Sequence, residues 1–465
     1  LGKDNSYINK VSNIDKAGKR IWIYSKKPKG RYHRARAWVA GFLLLVLFGT
    51  PFIRIDGNPF FLMNIFERKF VLFGTVFWPQ DFHIFALAFL ALVIFVVLFT
   101  AVYGRLWCGW ACPQTIFMEM VFRKIEYWIE GDHIKQKKFD KKAWDADKYF
   151  RKTAKHLIFI AISFLIANTL LAYIVGTDQL SQLVTSPITE NMGLFIGVIS
   201  FTGIFYFIFS WFREQACTYL CPYGRLQSVL LDKNSMVVAY DYVRGEPRGM
   251  PRGKSVPDDK GDCIDCSECV KVCPTGIDIR NGTQLECVNC TACMDACDSI
   301  MDRMDRPRGL IRYASINNIE KQEKFKVTPR LILYSIVLLV LTGLIAFLMT
   351  TRSDIEATIL RAKGTVYQKV EDNQIANVYT ATFINKTFRT LPVELRLIGR
   401  TGTIEMVGRD KLVLPAEEYL ETVFILRLPE SELSSFDNKV EIGVFSNNEL
   451  LHSVNTSFSA PIKIE

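Results

Sequence analysis

A chain of 465 residues that is 49% hydrophobic and 13% aromatic has room for two or three domains and is too apolar for an ordinary soluble protein. Its formal net charge is +10, but the basic residues lie in the connections between apolar runs, so membrane topology accounts for them and no nucleic-acid partner is expected. Twelve cysteines would suggest disulfides in a secreted chain; here all sit in clustered motifs and none in the last 168 residues, which points to metal and redox chemistry in a reducing compartment.

Residues 1–36 hold eleven Lys and Arg, show no secretory signal, and are expected to form a basic cytoplasmic segment. Five apolar runs follow: Ala37 to Ile53, Phe82 to Tyr103, Leu157 to Val175, Gly193 to Phe212 and Leu331 to Met349. Each is about long enough to cross a hydrocarbon core as a helix. Pro51 is expected to break the end of the first. A sixth stretch, Phe70 to Trp78, is too short to span and reads as interfacial or as a packed loop. The loop 104–156 carries twelve Lys and Arg and the segment 213–330 carries eighteen, against two in 56–81 and none in 176–192. The N-terminus, the loop 104–156 and the segment 213–330 are therefore expected in the cytoplasm. Five crossings put residues 351–465 outside. None of the five histidines pairs with another at helical spacing, so no b-type haem site is expected.

Two cysteine pairs lie just past the second and fourth apolar runs. WCGWACPQ supplies Cys108 and Cys112; ACTYLCPYG supplies Cys217 and Cys221. The C-x3-C spacing would put both sulfurs of a pair on one helical face, and the following Pro113 and Pro222 mark a kink or a new helix. Two copies with the same topology imply an approximate two-fold axis along the membrane normal, which could gather the four cysteines into one site. The neighbouring Arg105, Arg213 and Arg225 would favour thiolates or anchor to lipid phosphate. A third metal centre, a transient copper site and an exchanging dithiol all remain open for this quartet, as does a structural role.

From Cys263 the chain reads CIDCSECVKVCP, and thirteen residues after Cys273 it reads CVNCTACMDAC. Two runs of C-x2-C-x2-C-x3-C are the bacterial ferredoxin pattern, in which the distant fourth cysteine ligates the other cluster. One [4Fe–4S] cluster is thus assigned to Cys263, Cys266, Cys269 and Cys297, the other to Cys287, Cys290, Cys293 and Cys273. Asp298 follows the second run where Pro274 follows the first. Residues 234–262, rich in Gly, Pro and charge, read as a linker or lid. Beyond residue 351, short alternating runs such as VYTATF, VELRLI and VEIGVF are separated by turn residues. About seven strands there suggest an immunoglobulin-like sandwich.

The expected architecture is a multidomain membrane protein. About five helices with an internal repeat form a transmembrane bundle; an α+β ferredoxin domain is inserted, and a β-sandwich closes the chain. The boundaries are 1–36, 37–233, 234–328, 329–350 and 351–465.

WCGWACPQ, the second C-x3-C-P, GDCIDCSECVKVCPTGIDIRNGTQLECVNCTAC and DRPRGLIRY together resemble the cytochrome c oxidase accessory protein family, also called CcoG, FixG or RdxA. The resemblance spans nearly the whole chain. It implies a bacterial inner-membrane protein that assists assembly of cbb3-type cytochrome oxidase by reducing Cu(II) to Cu(I), a cupric reductase. The implied partners are copper ion as substrate, copper chaperones, oxidase assembly factors, the lipid bilayer and an unidentified electron donor. Two other functions fit the motifs: a quinol-oxidising electron-transfer protein and a non-redox assembly scaffold.

Overall fold

The computed structural model describes residues 19–461 apart from 56, 66–68, 188, 190, 250–259, 325, 363, 365, 371–372 and 409–411. Half of the expected basic N-terminal segment (1–18) and part of the expected linker (250–259) lie outside the described residues. The chain forms two compact units, residues 1–51 with 87–342 and residues 52–86 with 343–465.

Among the described residues, five helices are long and apolar enough to cross a membrane: Arg31–Phe52, Phe82–Tyr103, Ala146–Val175, Met192–Phe212 and Pro329–Thr350. The first, α1 (Arg31–Gly49), gives way to a 3-10 turn at Thr50–Phe52, where Pro51 removes a donor and cannot continue the α ladder. α2 is Phe82–Tyr103. Between α2 and the third span the chain makes α3 (Leu106–Trp110) and α4 (Pro113–Ile116), then a π-helical run at Phe117–Phe122. α5 (Ala146–Val175) starts where Asp145 accepts from the Lys148 N–H at 2.9 Å and ends at Gly176, φ +85°. α6 (Met192–Phe207) continues as a π run through Phe212. Aromatic packing ties these elements: Phe122 stacks on Phe209 at 4.5 Å and meets Phe159 edge-on at 4.8 Å. α7 (Pro222–Leu230) follows the second cysteine pair.

The ferredoxin part opens with β1 (Val237–Tyr240), paired antiparallel with β2 (Ile311–Ala314). The segment 234–262 is therefore more than a linker, because its VVAY run has the β-branched and aromatic character that pairs well. α8 (Ala292–Arg303) packs against this ribbon, and Val238, Tyr240, Met294, Met301, Leu310 and Ile311 form the core between them. Residues 19–34 reach this part as well. Lys26 donates its N–H to the Lys271 carbonyl at 2.8 Å, and Asp295 of α8 accepts the N–H groups of Tyr32 and His33. A carboxylate of the ferredoxin thus caps the N-terminus of α1, satisfying donors the helix cannot satisfy itself. The last apolar helix, α9, is Pro329–Thr350.

In the second unit, Phe70–Trp78 is not a loop. It supplies two strands of a three-stranded sheet, Phe61–Asn64, Lys69–Leu72 and Thr75–Phe77, with Leu62, Val71 and Val76 buried. The C-terminal strands form two sheets. One runs Thr403–Met406, Tyr419–Pro429, Gln374–Asn385, Ile355–Arg361, with Gln368–Val370 also on Gln374–Asn385. The other runs Leu412–Leu414, Leu391–Ile398, Asp437–Ser446, Glu449–Ser459. The nine strands make an immunoglobulin-like sandwich. Alternate residues face inward (Tyr379, Ala381, Phe383; Phe424, Leu426, Leu428; Val440, Ile442, Val444), as strand geometry requires.

Candidate metal and redox site

The eight ferredoxin cysteines sort into two cavities. Cys263, Cys266, Cys269 and Cys297 line one, with Tyr240, Ile300 and Leu310 among its walls. Cys273, Cys287, Cys290 and Cys293 line the other, and Cys269 touches it too. The crosswise grouping follows from α8, which carries Cys293 and Cys297 one turn apart, toward different cavities. Both three-cysteine loops turn the same way: Asp265 and Ser267 flank Cys266 at φ +53° and +56°, and Asn289 and Thr291 flank Cys290 at +52° and +63°. Asp and Asn tolerate this left-handed backbone. Alternating it with ordinary residues directs successive N–H groups into one concavity, a form suited to anionic iron–sulfur groups. Burial pushes the thiols of Cys269, Cys287 and Cys297 up to about 12. Sites of this kind shed protons when a cation takes their place. Four thiols, an N–H concavity and apolar walls together fit an iron–sulfur cluster at each cavity.

Asp298 has a structural account. Pro274 stops the chain after Cys273, whereas Asp298 keeps its N–H and lets α8 run on to Arg303. Its carboxylate is buried, accepts from the Gly309 N–H at 3.0 Å and faces Arg31 at 3.4 Å.

The membrane-edge cysteines also come together, though not on regular helical faces. α3 holds Cys108 but ends at Ala111, and Cys112 is extended (ψ 125°) as the N-cap of α4. Cys217 lies in a π turn, Ala216–Leu220, and Cys221 is again extended (ψ 109°) as the N-cap of α7. The prolines are the cause, since the residue before proline is driven out of the helical region. Cys112 and Cys221 therefore each sit at the N-cap of the helix that follows. Cys217 lies within electrostatic reach of Cys112, Cys108 and Cys221. Burial pushes Cys108 and Cys217 up to about 12; Arg105 pulls Cys108 the other way and does not prevail. The expected thiolate-stabilising arginines thus serve otherwise. Arg213 grips Glu126 with two hydrogen bonds of 2.8 and 2.9 Å, and Arg105 donates to the carbonyls of Leu285 and Gly224.

The quartet abuts the second ferredoxin cavity. Cys108 packs with Val272, Val288, Cys290 and Ala292. A Cβ on Gly109 would fall 2.5 Å from the Val288 carbonyl oxygen and 2.7 Å from that of Asn289, so glycine is what allows α3 to lie on this loop. Arg36 of α1 donates to the Gly109 carbonyl at 2.6 Å. Trp110 donates to the Tyr313 hydroxyl, which donates to the Asn289 carbonyl, each at 3.2 Å.

Comparison with known proteins matches these regions to described families. Residues 212–316 match a 4Fe-4S dicluster domain, 85–137 a 4Fe-4S binding domain, and 345–461 the IG-like fold at the C-terminal of FixG. Protein RdxA of Cereibacter sphaeroides is 33% identical over 396 residues, 82% of this chain and 83% of that protein. The chain belongs to the FixG/RdxA family. Protein RdxB of the same organism is 33% identical over 79% of this chain and 80% of its own length. Nitrogen fixation protein FixG of Rhizobium meliloti is 36% identical over 64% of this chain and 58% of its own length. This FixG/RdxA-type chain is accordingly a multi-pass membrane electron-transfer protein with 4Fe-4S binding domains. Each Cys-Pro pair lies inside a segment that matches an iron–sulfur family.

Three neighbours of the quartet escaped the sequence reading. Gln227, fully buried on α7, accepts from the Cys108 thiol at 3.2 Å. Glu119, in the π run, pairs with Arg123 at 2.9 Å and acts electrostatically on Cys217. Arg36 looked like one of many N-terminal basic residues, yet it is buried. Only Gln227 carried a signal, a polar residue on the inward face of a short helix opened by Cys-Pro.

Proposed function

We propose that this FixG/RdxA-family protein is a cupric reductase serving assembly of a cbb3-type cytochrome c oxidase. Cys108, Cys112, Cys217 and Cys221 form its substrate site. Cys263, Cys266, Cys269 and Cys297 hold one [4Fe–4S] cluster, and Cys273, Cys287, Cys290 and Cys293 the other. Such clusters, when bound, supply one-electron transfer. One electron converts Cu(II) to Cu(I). Cu(II) favours nitrogen and oxygen ligands, whereas Cu(I) favours thiolate, so the quartet holds the product better than the substrate. The thiol protons of Cys108 and Cys217 leave as copper binds. Release then falls to a chaperone with stronger thiolate ligation. The observation that carries this reading is the packing of Cys108 against the buried cluster of Val272, Val288, Cys290 and Ala292 in the ferredoxin part.

The Lys and Arg distribution supports a cytoplasmic ferredoxin segment and an external β domain. Protein pre-reduced anaerobically with dithionite, then freed of it, should return to its oxidised absorbance when Cu(II) is added, with one Cu(I) trapped by a chelator per electron lost. Absorbance that stays bleached after Cu(II) addition would remove copper from this reading. Unchanged turnover with all four quartet cysteines replaced by Ser would remove the quartet.

A further inference from the structure

A cavity of about 360 Å³ lies beside the ferredoxin loop, separate from both cysteine-lined cavities, and Cys287 forms part of its wall. Leu231, Val237 and Leu285 supply apolar wall, and Arg105 and Asn289 supply polar groups. Arg105 and Asn289 are 6% and 2% exposed. Among the described residues the Arg105 Nε and the Asn289 amide nitrogen are buried without a hydrogen-bond partner, although the rest of the Arg105 guanidinium is pinned by two carbonyls. Both atoms are closed off from solvent and so belong to the interior of the wall. The exposed Asp232 and Lys233 also line the cavity and form its rim.

Position narrows the class of ligand. Arg105 stands two residues past the end of α2, an apolar membrane-spanning helix, so the cavity lies at the depth of the membrane interface. Its volume suits one ring system and is small for a dinucleotide, which also needs a Gly-rich phosphate turn that the lining segments lack. The lining cations Arg105 and Lys233 disfavour a copper ion. We propose that this cavity binds the head group of a lipid-soluble quinol, the electron donor of the protein. The proposal rests on the electron-transfer reading and not on copper as the acceptor. The quinol is oxidised to quinone, losing two electrons and two protons. The electrons would leave singly toward the iron–sulfur group that Cys287 would help to hold, and the protons would go to water at the rim. One quinol therefore balances the reduction of two Cu(II) to two Cu(I). The positive charge of Arg105 beside Cys287 favours the more negative, reduced state of that group and so helps acceptance from a mild donor.

The test uses purified full-length protein in detergent, with decylubiquinone and menadione as probes in oxidised and reduced form. Oxidised probe should bind saturably, read as quenching of tryptophan fluorescence, and reduced probe should bleach the iron–sulfur absorbance anaerobically. Leu285→Trp and Thr283→Trp, both at exposed positions, should obstruct the cavity, weaken probe binding at least about tenfold and slow bleaching by quinol by a similar factor. Bleaching by dithionite and reoxidation by Cu(II) should keep their wild-type rates. Non-saturable binding to the wild type, or quinol bleaching undiminished in both variants, would overturn the proposal. Failure of the Cu(II) reoxidation arm alone, with quinol bleaching intact and sensitive to Leu285→Trp, would support the donor site and remove only the copper reading.

Discussion

In the ferredoxin segment three of the four cysteines around each cavity come from seven consecutive positions, 263–269 or 287–293; at the membrane edge the four come as two pairs 109 residues apart. The first arrangement is made by local backbone. Left-handed residues on either side of the middle cysteine curl each loop around its cavity, and α8 carries Cys297 to the first cavity and Cys293 to the second. The second is made by docking. α3 and α7 must both pack correctly, and Pro113 and Pro222 must hold Cys112 and Cys221 extended. A loop-built site tolerates movement of its surroundings, whereas a docked site fails when any of several contacts fails. The contrast also fits the chemistry proposed for them, since a resident cluster needs a closed cage and a substrate site must load and release.

The largest expected effect tests the crosswise grouping. Cys273→Ser should remove the group held by Cys287, Cys290 and Cys293, lowering iron from about eight to about four per chain. Paramagnetic resonance should show the group of Cys263, Cys266 and Cys269 intact; loss of that one instead would reverse the assignment. Next, replacing Cys108 and Cys112 by Ser should reduce Cu(II) reduction at least about a hundredfold while the iron content stays at wild-type level. Replacing Cys217 and Cys221 should do the same, and all four together should add little, because residues acting as one unit are non-additive. An additive quadruple variant would mean two independent sites.

A third change leaves both cysteine sets alone. Asp81 is 4% exposed and accepts from Lys386 and from Arg352, each at 2.7 Å, and Lys386 also meets Glu356 at 2.9 Å. Asp81→Ala strips a buried cation of one partner and should destabilise the β-rich unit by about 3 kcal/mol, read as its thermal transition, with iron content unchanged. Burial alone would raise the Asp81 pKa, but the bonds from Lys386 and Arg352 outweigh it and hold the carboxyl below its ordinary value. Its contribution is therefore present above the ordinary carboxylate pKa and lost as the pH falls through the lowered folded value. The variant should lose stability less steeply than wild type below about pH 4. An equal slope in the two proteins would show that Asp81 is not the group responsible.

The smallest effect bears on the docking itself. Gly109→Ala places a methyl against two backbone carbonyls that cannot swing aside, at a cost of about 1–3 kcal/mol. It should slow Cu(II) reduction by pre-reduced protein several-fold and leave reduction by dithionite unaltered. Wild-type kinetics in this variant would show that close contact between α3 and the ferredoxin loop is dispensable.

The sequence alone determined whatever depends on short-range spacing. Cysteine intervals of three, repeated twice, specified the two ferredoxin loops and the crossed grouping of their fourth cysteines, because such intervals match the corners of a small cluster whatever surrounds them. Apolar runs of membrane length gave the five spanning helices, and alternation in the last third gave the sandwich. Tertiary structure decided the rest. C-x3-C suggested one helical face, yet the prolines break each helix at its second cysteine, and the two pairs, far apart in the chain, lie within electrostatic reach of one another. Phe70–Trp78, ambiguous by length, became strands once Leu62 and Val76 gave Val71 a partner surface. No local pattern marked Arg36, Asn289 or the cavity beside Cys287. Each depends on segments brought together from far apart in the chain, and burial of a polar group becomes informative only when the atoms that do or do not satisfy it are known.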